Sequence, residues 1–247
     1  MQQNIFFSIL DKVESTNNYA MQQIQAALAT HGQAWLAKEQ WGGKGQRGKK
    51  WISQPGQNVL LSIAVVPNKA LLSKPFILSM LVANVCKQFF ADFGVINTSI
   101  KWPNDIFFGD RKAGGILIEN IYKGSQWQWA VIGIGININQ TEFNNALLQA
   151  TSLKKVIGTN TDVEEIAKAI HITILQAINS YEIIMEQLVC SKYNSSLYQK
   201  DKSVILKKAN ANFCTTIKEV NIYGQLITSD VVERTFNVGE VEWVLKV

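Results

Sequence analysis

The amino-acid sequence predicts an α+β protein, a larger part of interleaved strands and helices followed by a small all-β module. Three observations lead there. Short, largely apolar runs at 5–10, 34–40 and 58–66 read as strands, and segments with apolar residues near helical spacing lie between and after them. A long amphipathic stretch at 162–193 reads as one helix. From Lys200 the pattern changes to short alternating runs with turns at 209–212, 223–225 and 238–240, the spacing of a barrel-like module. The expected division is 1–196 for the larger domain and 197–247 for the smaller.

The elements follow in order. After the first strand, Glu14-Ser15-Thr16-Asn17-Asn18 opens a helix to about Thr30, with Tyr19, Ala20, Ile24, Ala27 and Leu28 on its apolar side. Ser15 or Thr16 reads as an N-cap. Equally, Ser15, Thr16 and Asn17 read as three small polar side chains offering donors and acceptors to a ligand head. The strand 34–40 delivers Gln40 to the basic loop that follows. After the strand 58–66, residues 73–93 form a buried helix stopped by Gly94. Pro103 and Asn104-Asp105 end a short strand that starts at Ser99, placing Lys101 and Asp105 close together with Trp102 between them. Residues 107–111 turn as a hairpin, and Lys112 to Glu119 form a strand in which Gly114-Gly115 permits close backbone approach. Gly124-Ser125 turns into a strand from Gln126 that ends at Gly133-Ile134-Gly135-Ile136-Asn137. Residues 140–151 read as a polar loop or short helix, and Asp162 caps the helix at 162–193.

The stretch Trp41-Gly42-Gly43-Lys44-Gly45-Gln46-Arg47-Gly48-Lys49-Lys50-Trp51 sets four glycines and four cations between two tryptophans. Glycines let the backbone turn its N–H groups inward, and the cations complete an anion cradle. A solvated surface turn is the plain alternative; the repeated glycines and the tryptophan flanks favour a ligand loop. Gly43 to Lys49 imitates a nucleoside-triphosphate loop, but Lys50 stands where Ser or Thr must hold Mg²⁺, and a turn follows instead of a helix. Gly133-Ile134-Gly135 imitates a dinucleotide turn, but Ile138 replaces its third glycine.

At 47% hydrophobic and 17% charged, the 247 residues can bury a core. The net charge of +5 is modest, and four of the cations sit in the loop, which points to an anionic ligand. Nucleic-acid binding is the weaker reading, since no basic helical stripe, zinc pattern or helix-turn-helix appears. Cys86, Cys190 and Cys214 are odd in number and far apart, as reduced cytoplasmic thiols are. No signal peptide and no apolar run long enough to span a bilayer is apparent. His31 and His171 are the only histidines, which argues against a histidine metal site or a serine–histidine triad.

The cradle, the corner from Lys101 to Asp105, Lys112 beside Gly114-Gly115 and the Gly-x-Gly-x-Asn strand end together resemble the biotin–protein ligase family, over roughly residues 5 to 247. The resemblance implies a mixed, largely antiparallel sheet flanked by helices, related to class II aminoacyl-tRNA synthetases and lipoate ligases, with an SH3-like C-terminal module. It implies that biotin and MgATP give biotinyl-5′-AMP, and that a lysine of a biotin carboxyl carrier protein domain then takes the biotin. By that resemblance Ser15, Thr16, Asn17 and Gln40 contact the biotin ureido head. Gly43, Lys44, Gly45, Gln46 and Arg47 form the loop over carboxylate and phosphate, and Gly115 gives a backbone contact. Lys112 is the catalytic cation on the carboxylate and α-phosphate. Trp51, Lys101, Asn104 and Asn137 lie on the ATP side. Asp105 marks the Mg²⁺ and phosphate corner and also assists deprotonation of the acceptor lysine.

The loop departs from the family's usual Gly-Arg-Gly-Arg: Lys44 and Gln46 hold the arginine positions, and Arg47 is the candidate to compensate. Lys keeps the charge without the bidentate fork, and Gln keeps neither. The expectation is a short cytoplasmic form, monomer or homodimer, without the N-terminal DNA-binding domain of some relatives and with no nucleic-acid or membrane partner. Two alternatives stay beside it. One is a lipoate or octanoate ligase, whose usual Arg-Arg-x-Ser-Gly-Gly-Gly-Ala-type motif is missing. The other is a biotin-binding relative that has lost adenylation.

Overall fold

A computed structural model describes residues 7–143 and 149–244. Seven strands form the main sheet: β1 (Phe7–Val13), β2 (Gln33–Gln40), β3 (Asn58–Val65), β4 (Thr98–Lys101), β5 (Asp105–Phe108), β6 (Arg111–Lys123) and β7 (Gln126–Asn137). They lie in the order β1-β2-β3-β7-β6-β5-β4. Only β1 and β2 run parallel, because helix α1 (Thr16–Gln25) carries the chain back between them; the remaining neighbours are antiparallel.

Every residue of β3 is buried, since both faces of the sheet are covered. Val59, Leu61, Ile63 and Val65 face the larger core, shared with α2 (Phe76–Asp92) and α4 (Val163–Asn179). The alternate positions face α1, where Ala64 packs with Ala20, Trp35 and Val131. The period of two thus puts Ser62, among apolar neighbours, directly beneath the start of α1.

Two of the expected helices change. The first helix stops at Gln25 instead of Thr30, because Ala27 takes a left-handed φ of 56°. The stretch 162–193 is not one helix. Asp162 does cap α4, accepting from the N–H groups of Glu164 and Glu165 at 2.8 and 3.0 Å. Its far end is closed by Asn68, whose amide donates to the carbonyls of Ile178 and Tyr181, and by Ser180 Oγ, which donates to Gln176 O. The chain restarts as α5 (Glu186–Ser195). A short helix, α3 (Leu153–Ile157), adds to the expected elements. The expectation for 140–151 falls in part on residues 144–148, outside the described residues.

The C-terminal strands β8 (Ser203–Lys208), β9 (Ala211–Val220), β10 (Leu226–Ser229), β11 (Glu233–Phe236) and β12 (Glu242–Trp243) form an antiparallel sheet in the order β11-β10-β9-β8-β12. Among the described residues its outer strands do not pair, so the expected barrel stays open. β12 is only two residues long and uses its ladder on β8. Leu206, Ile217, Val220, Leu226 and Phe236 of this sheet join the same apolar cluster as the main core. Trp102 Nε1 donates to Gly224 O at 3.0 Å, tying the β4–β5 turn to the C-terminal sheet.

Candidate functional site

A cavity of about 430 Å³ opens between α1, the basic loop, the β4–β5 turn, β6, β7 and the β11–β12 connection. Ser15, Thr16, Asn17, Gln40, Lys44, Gly45, Gln46, Arg47, Trp51, Lys101, Asn104, Asp105, Lys112, Gly115 and Asn137 all line it. Of the residues singled out from sequence, only Gly43 stands behind the wall. A Cβ there would lie 2.6 Å from Trp51 O, and Gly43 O instead accepts from Trp51 N–H at 2.8 Å.

One end of the cavity is neutral and polar. Ser15 holds the N-cap position of α1 in extended backbone, yet its side chain makes no capping bond. Gln40 takes that part from across the sheet: its Oε1 accepts from Thr16 N–H at 2.7 Å and lies 3.1 Å from the Thr16 hydroxyl. Ser62 Oγ lies 2.7 Å from Thr16 Oγ1 and donates to Asn17 Oδ1 at 2.6 Å. Asn17 Nδ2 donates to Glu119 Oε2 at 2.7 Å and to Leu117 O at 3.3 Å. Gly133 is required for this closeness, since a Cβ would come 2.3 Å from Asn17 Oδ1.

The other end is charged. Asp105 Oδ1 lies 2.6 Å from Lys112 Nζ and its Oδ2 3.8 Å from Lys101 Nζ. The corner owes its geometry to the β4–β5 hairpin, in which Lys101 and Asp105 are direct partners, and to β6, which sets Asp105 opposite Gly115. Lys101 also lies over the rings of Trp243, at 5.4 Å, and Phe107, at 5.6 Å. Burial pushes its ammonium down to about 8, against the opposing pull of Asp105. Behind the turn, Tyr193 donates to Pro103 O at 3.0 Å, and burial holds its phenol well above the ordinary value. Asn104 Nδ2 is spent on Ile116 O and Asn137 Nδ2 on Thr151 O, so both amides brace the wall.

The loop between the ends is a small hairpin: Lys44 bridges Lys50, and a tight turn spans Gln46–Gly48. Arg47 at its tip adopts a φ of 56° and extends to Glu242 Oε1 at 3.6 Å, with both side chains more than half exposed. Trp51 closes the floor. Its ring rests on Gly135, where a Cβ would lie 2.6 Å from it, and Lys112 Nζ sits 5.8 Å above it. The indole N–H groups of Trp51 and Trp243 are buried without a hydrogen-bond partner.

Ser62, Glu119, Glu242 and Trp243 escaped the sequence reading. Ser62 carried a signal, a lone hydroxyl in an apolar strand, and so did Glu119, the first charge after Gly114-Gly115-Ile116-Leu117-Ile118. Glu242 and Trp243 carried none, because their part follows from how the C-terminal sheet docks.

Comparison with solved structures establishes the fold as that of biotin–protein ligases. The biotin protein ligase from Aquifex aeolicus in complex with biotin and ATP superposes with a TM-score of 0.80 over 98% of this chain and 99% of that one, at 22% identity. The Leishmania major biotin protein ligase in complex with biotinyl-5-AMP does so with a TM-score of 0.65 over 94% of this chain and 99% of that one, at 21% identity. The biotin/lipoate A/B protein ligase family profile matches residues 9–137, and the chain belongs to that family. Similar curated proteins include the bifunctional ligase/repressor BirA of Escherichia coli, 29% identical over 71% of this chain and 54% of that protein. The biotin–[acetyl-CoA-carboxylase] ligase of Paracoccus denitrificans is 31% identical over 53% of each. The match thus spans about half the length of these relatives.

Proposed function

We propose that the protein is a biotin–protein ligase. It joins biotin and ATP into biotinyl-5′-AMP and passes the biotin to a lysine of a biotin carboxyl carrier protein domain. The observation that carries this reading is the polarity of the cavity, neutral hydrogen-bonding groups at one end and a Lys112–Asp105–Lys101 cluster at the other. Gln40 spends its oxygen on Thr16 and keeps its N–H donors for a guest. Biotin matches both ends, with a ureido ring for the first and a carboxylate for the second. A dithiolane or a plain alkyl chain would leave the Gln40 N–H groups without a partner, which disfavours lipoate and octanoate.

The chemistry follows from the charges. A carboxylate oxygen must attack the α-phosphorus while pyrophosphate leaves, so two anions have to meet. Lys112, on the cavity wall beside Gly115, offsets their repulsion, and Lys101 and the loop cations extend the positive field toward the phosphates. Binding exchanges Asp105 for the substrate's carboxylate as the partner of Lys112. The acceptor amine then attacks the acyl carbon, the bond from that carbon to the bridging oxygen breaks so that AMP leaves with this oxygen, and Asp105 is the candidate to take the proton that the amine sheds.

Magnesium enters as part of MgATP. Both oxygens of Asp105 face lysines, and among the described residues no group of three or more acidic, histidine or cysteine side chains could hold an ion. That suits an ion carried mainly by phosphates and water, with Asp105 as one contact. Residues 1–196 are assigned the biotin and nucleotide sites, and 197–247 supply the Val238-to-Trp243 wall. The cysteines are free and, among the described residues, no helix is long and apolar enough to cross a membrane, in keeping with action in the cytoplasm.

The test is mass spectrometry of the protein incubated with MgATP and biotin, with lipoate and octanoate in parallel. Biotinyl-adenylate alone is the expected product. Biotin binding without any adenylate would favour the non-catalytic reading, and adenylation of lipoate or octanoate in its place would reject the assignment.

A further inference from the structure

The head-group end of the cavity has a polarity that its own residues do not determine. Asn17 is 3% exposed, and its amide could be turned to offer a ligand either an acceptor oxygen or N–H donors. Two side chains behind the cavity wall decide. Glu119 on β6 presents Oε2 at 2.7 Å, and an ionised carboxylate only accepts, so the amide nitrogen must face it. Leu117 O takes the second N–H at 3.3 Å. From β3, Ser62 Oγ donates to Asn17 Oδ1 at 2.6 Å. Both N–H groups are thereby used inside the protein, and Asn17 keeps for a guest only a lone pair on Oδ1. Gln40 is turned the opposite way, with its oxygen used on Thr16 and its N–H groups left over. The end of the cavity therefore asks for a guest with an N–H donor close to a carbonyl acceptor.

We propose that Glu119 and Ser62 are the positioning residues that hold Asn17 as an acceptor and so make an N–H on the head group a condition of binding. The inference rests on the biotin reading for the identity of the guest, whose cyclic urea carries N–H and C=O side by side. It goes beyond that reading by assigning the selectivity to two residues that touch no ligand.

A polarity-reversed pair tests it. Asn17→Asp alone sets two carboxylates at the distance of the present hydrogen bond, and biotin affinity measured by calorimetry should fall by about 10² or more. Adding Glu119→Gln restores a donor–acceptor pair in the opposite sense, because the amide introduced on β6 can donate while the second oxygen of the carboxylate introduced on α1 still accepts from the guest. Leu117 O loses its donor in both variants, so the double variant should regain at least about tenfold of the lost affinity without reaching wild type. The KM for ATP should stay within about twofold throughout, a readout that general damage to the fold would move. Ser62→Ala should raise the KM for biotin and narrow the preference for biotin over an analogue methylated at a ureido nitrogen. A double variant that binds no better than Asn17→Asp overturns the inference while leaving the biotin reading intact. Wild-type protein that binds no biotin overturns both.

Discussion

Replacing Lys101 by Met removes a cation that the fold holds at a cost. The Lys101 side chain is 13% exposed and meets one carboxylate at 3.8 Å. Desolvation, the largest influence, brings it from its ordinary 10.5 to about 8, with Asp105 pulling upward and Lys112 and Lys49 adding to the drop. That drop corresponds to about 3 kcal/mol at about 1.4 kcal/mol per pH unit. The sign follows from proton counting. Between about 8 and 10.5 the unfolded chain keeps the proton that the folded chain has released, so stability rises with pH across that window and is level below it, where both states are protonated. From pH 7 to pH 9.5 the wild type should gain about 2 kcal/mol from this group, and Lys101→Met should gain none of it. Urea unfolding of both proteins at the two pH values measures the difference, and subtraction removes groups common to both, such as Cys86, whose burial pushes its thiol up to about 12. Parallel pH dependence in the two proteins would show that Lys101 is better hydrated or better paired than this geometry allows, and would refute the reasoning.

Lys112→Ala should cut adenylate formation by about 10² or more, the scale for losing a fixed transition-state donor, and unchanged adenylation in a rapid-quench assay would sink its assignment. Gly135→Ala puts a Cβ 2.6 Å from the Trp51 ring; overpacking of this kind costs about 1–3 kcal/mol, so the melting temperature should drop by several degrees, and an unshifted melt would contradict the packing. Arg47→Ala should shorten retention of the adenylate while Gln46→Ala has little effect; equal, negligible effects would reject Arg47 as the substitute for the missing loop arginine. Glu242→Ala should change the stability of the free protein by less than about 1 kcal/mol, because its pair with Arg47 is exposed; a larger loss in urea unfolding would mean that the contact holds the loop.

What could be read from sequence was what neighbours within a few residues control. The strand at 58–65, the hairpin after Phe108, the Asp162 cap and the closeness of Lys101 and Asp105 all follow from local periodicity, turn chemistry and a proline. The motifs likewise named most of the cavity wall outside the C-terminal sheet, because their spacing is carried by single turns and strand ends. Sequence could not foresee the break after Asn179, since it depends on Asn68 reaching the carbonyls of Ile178 and Tyr181 from 110 and 113 residues away. Nor could it show that Gln40, instead of Ser15, caps the first helix, or that Glu119 reaches Asn17 across 102 residues. Those contacts depend on the register between strands and on how the helices and connections pack against the main sheet. An alternating strand pattern says which face is buried but not which partner lies beside it. Local chemistry thus specified the parts of the site, while strand pairing decided which polar groups point into the cavity and which are used up in holding it.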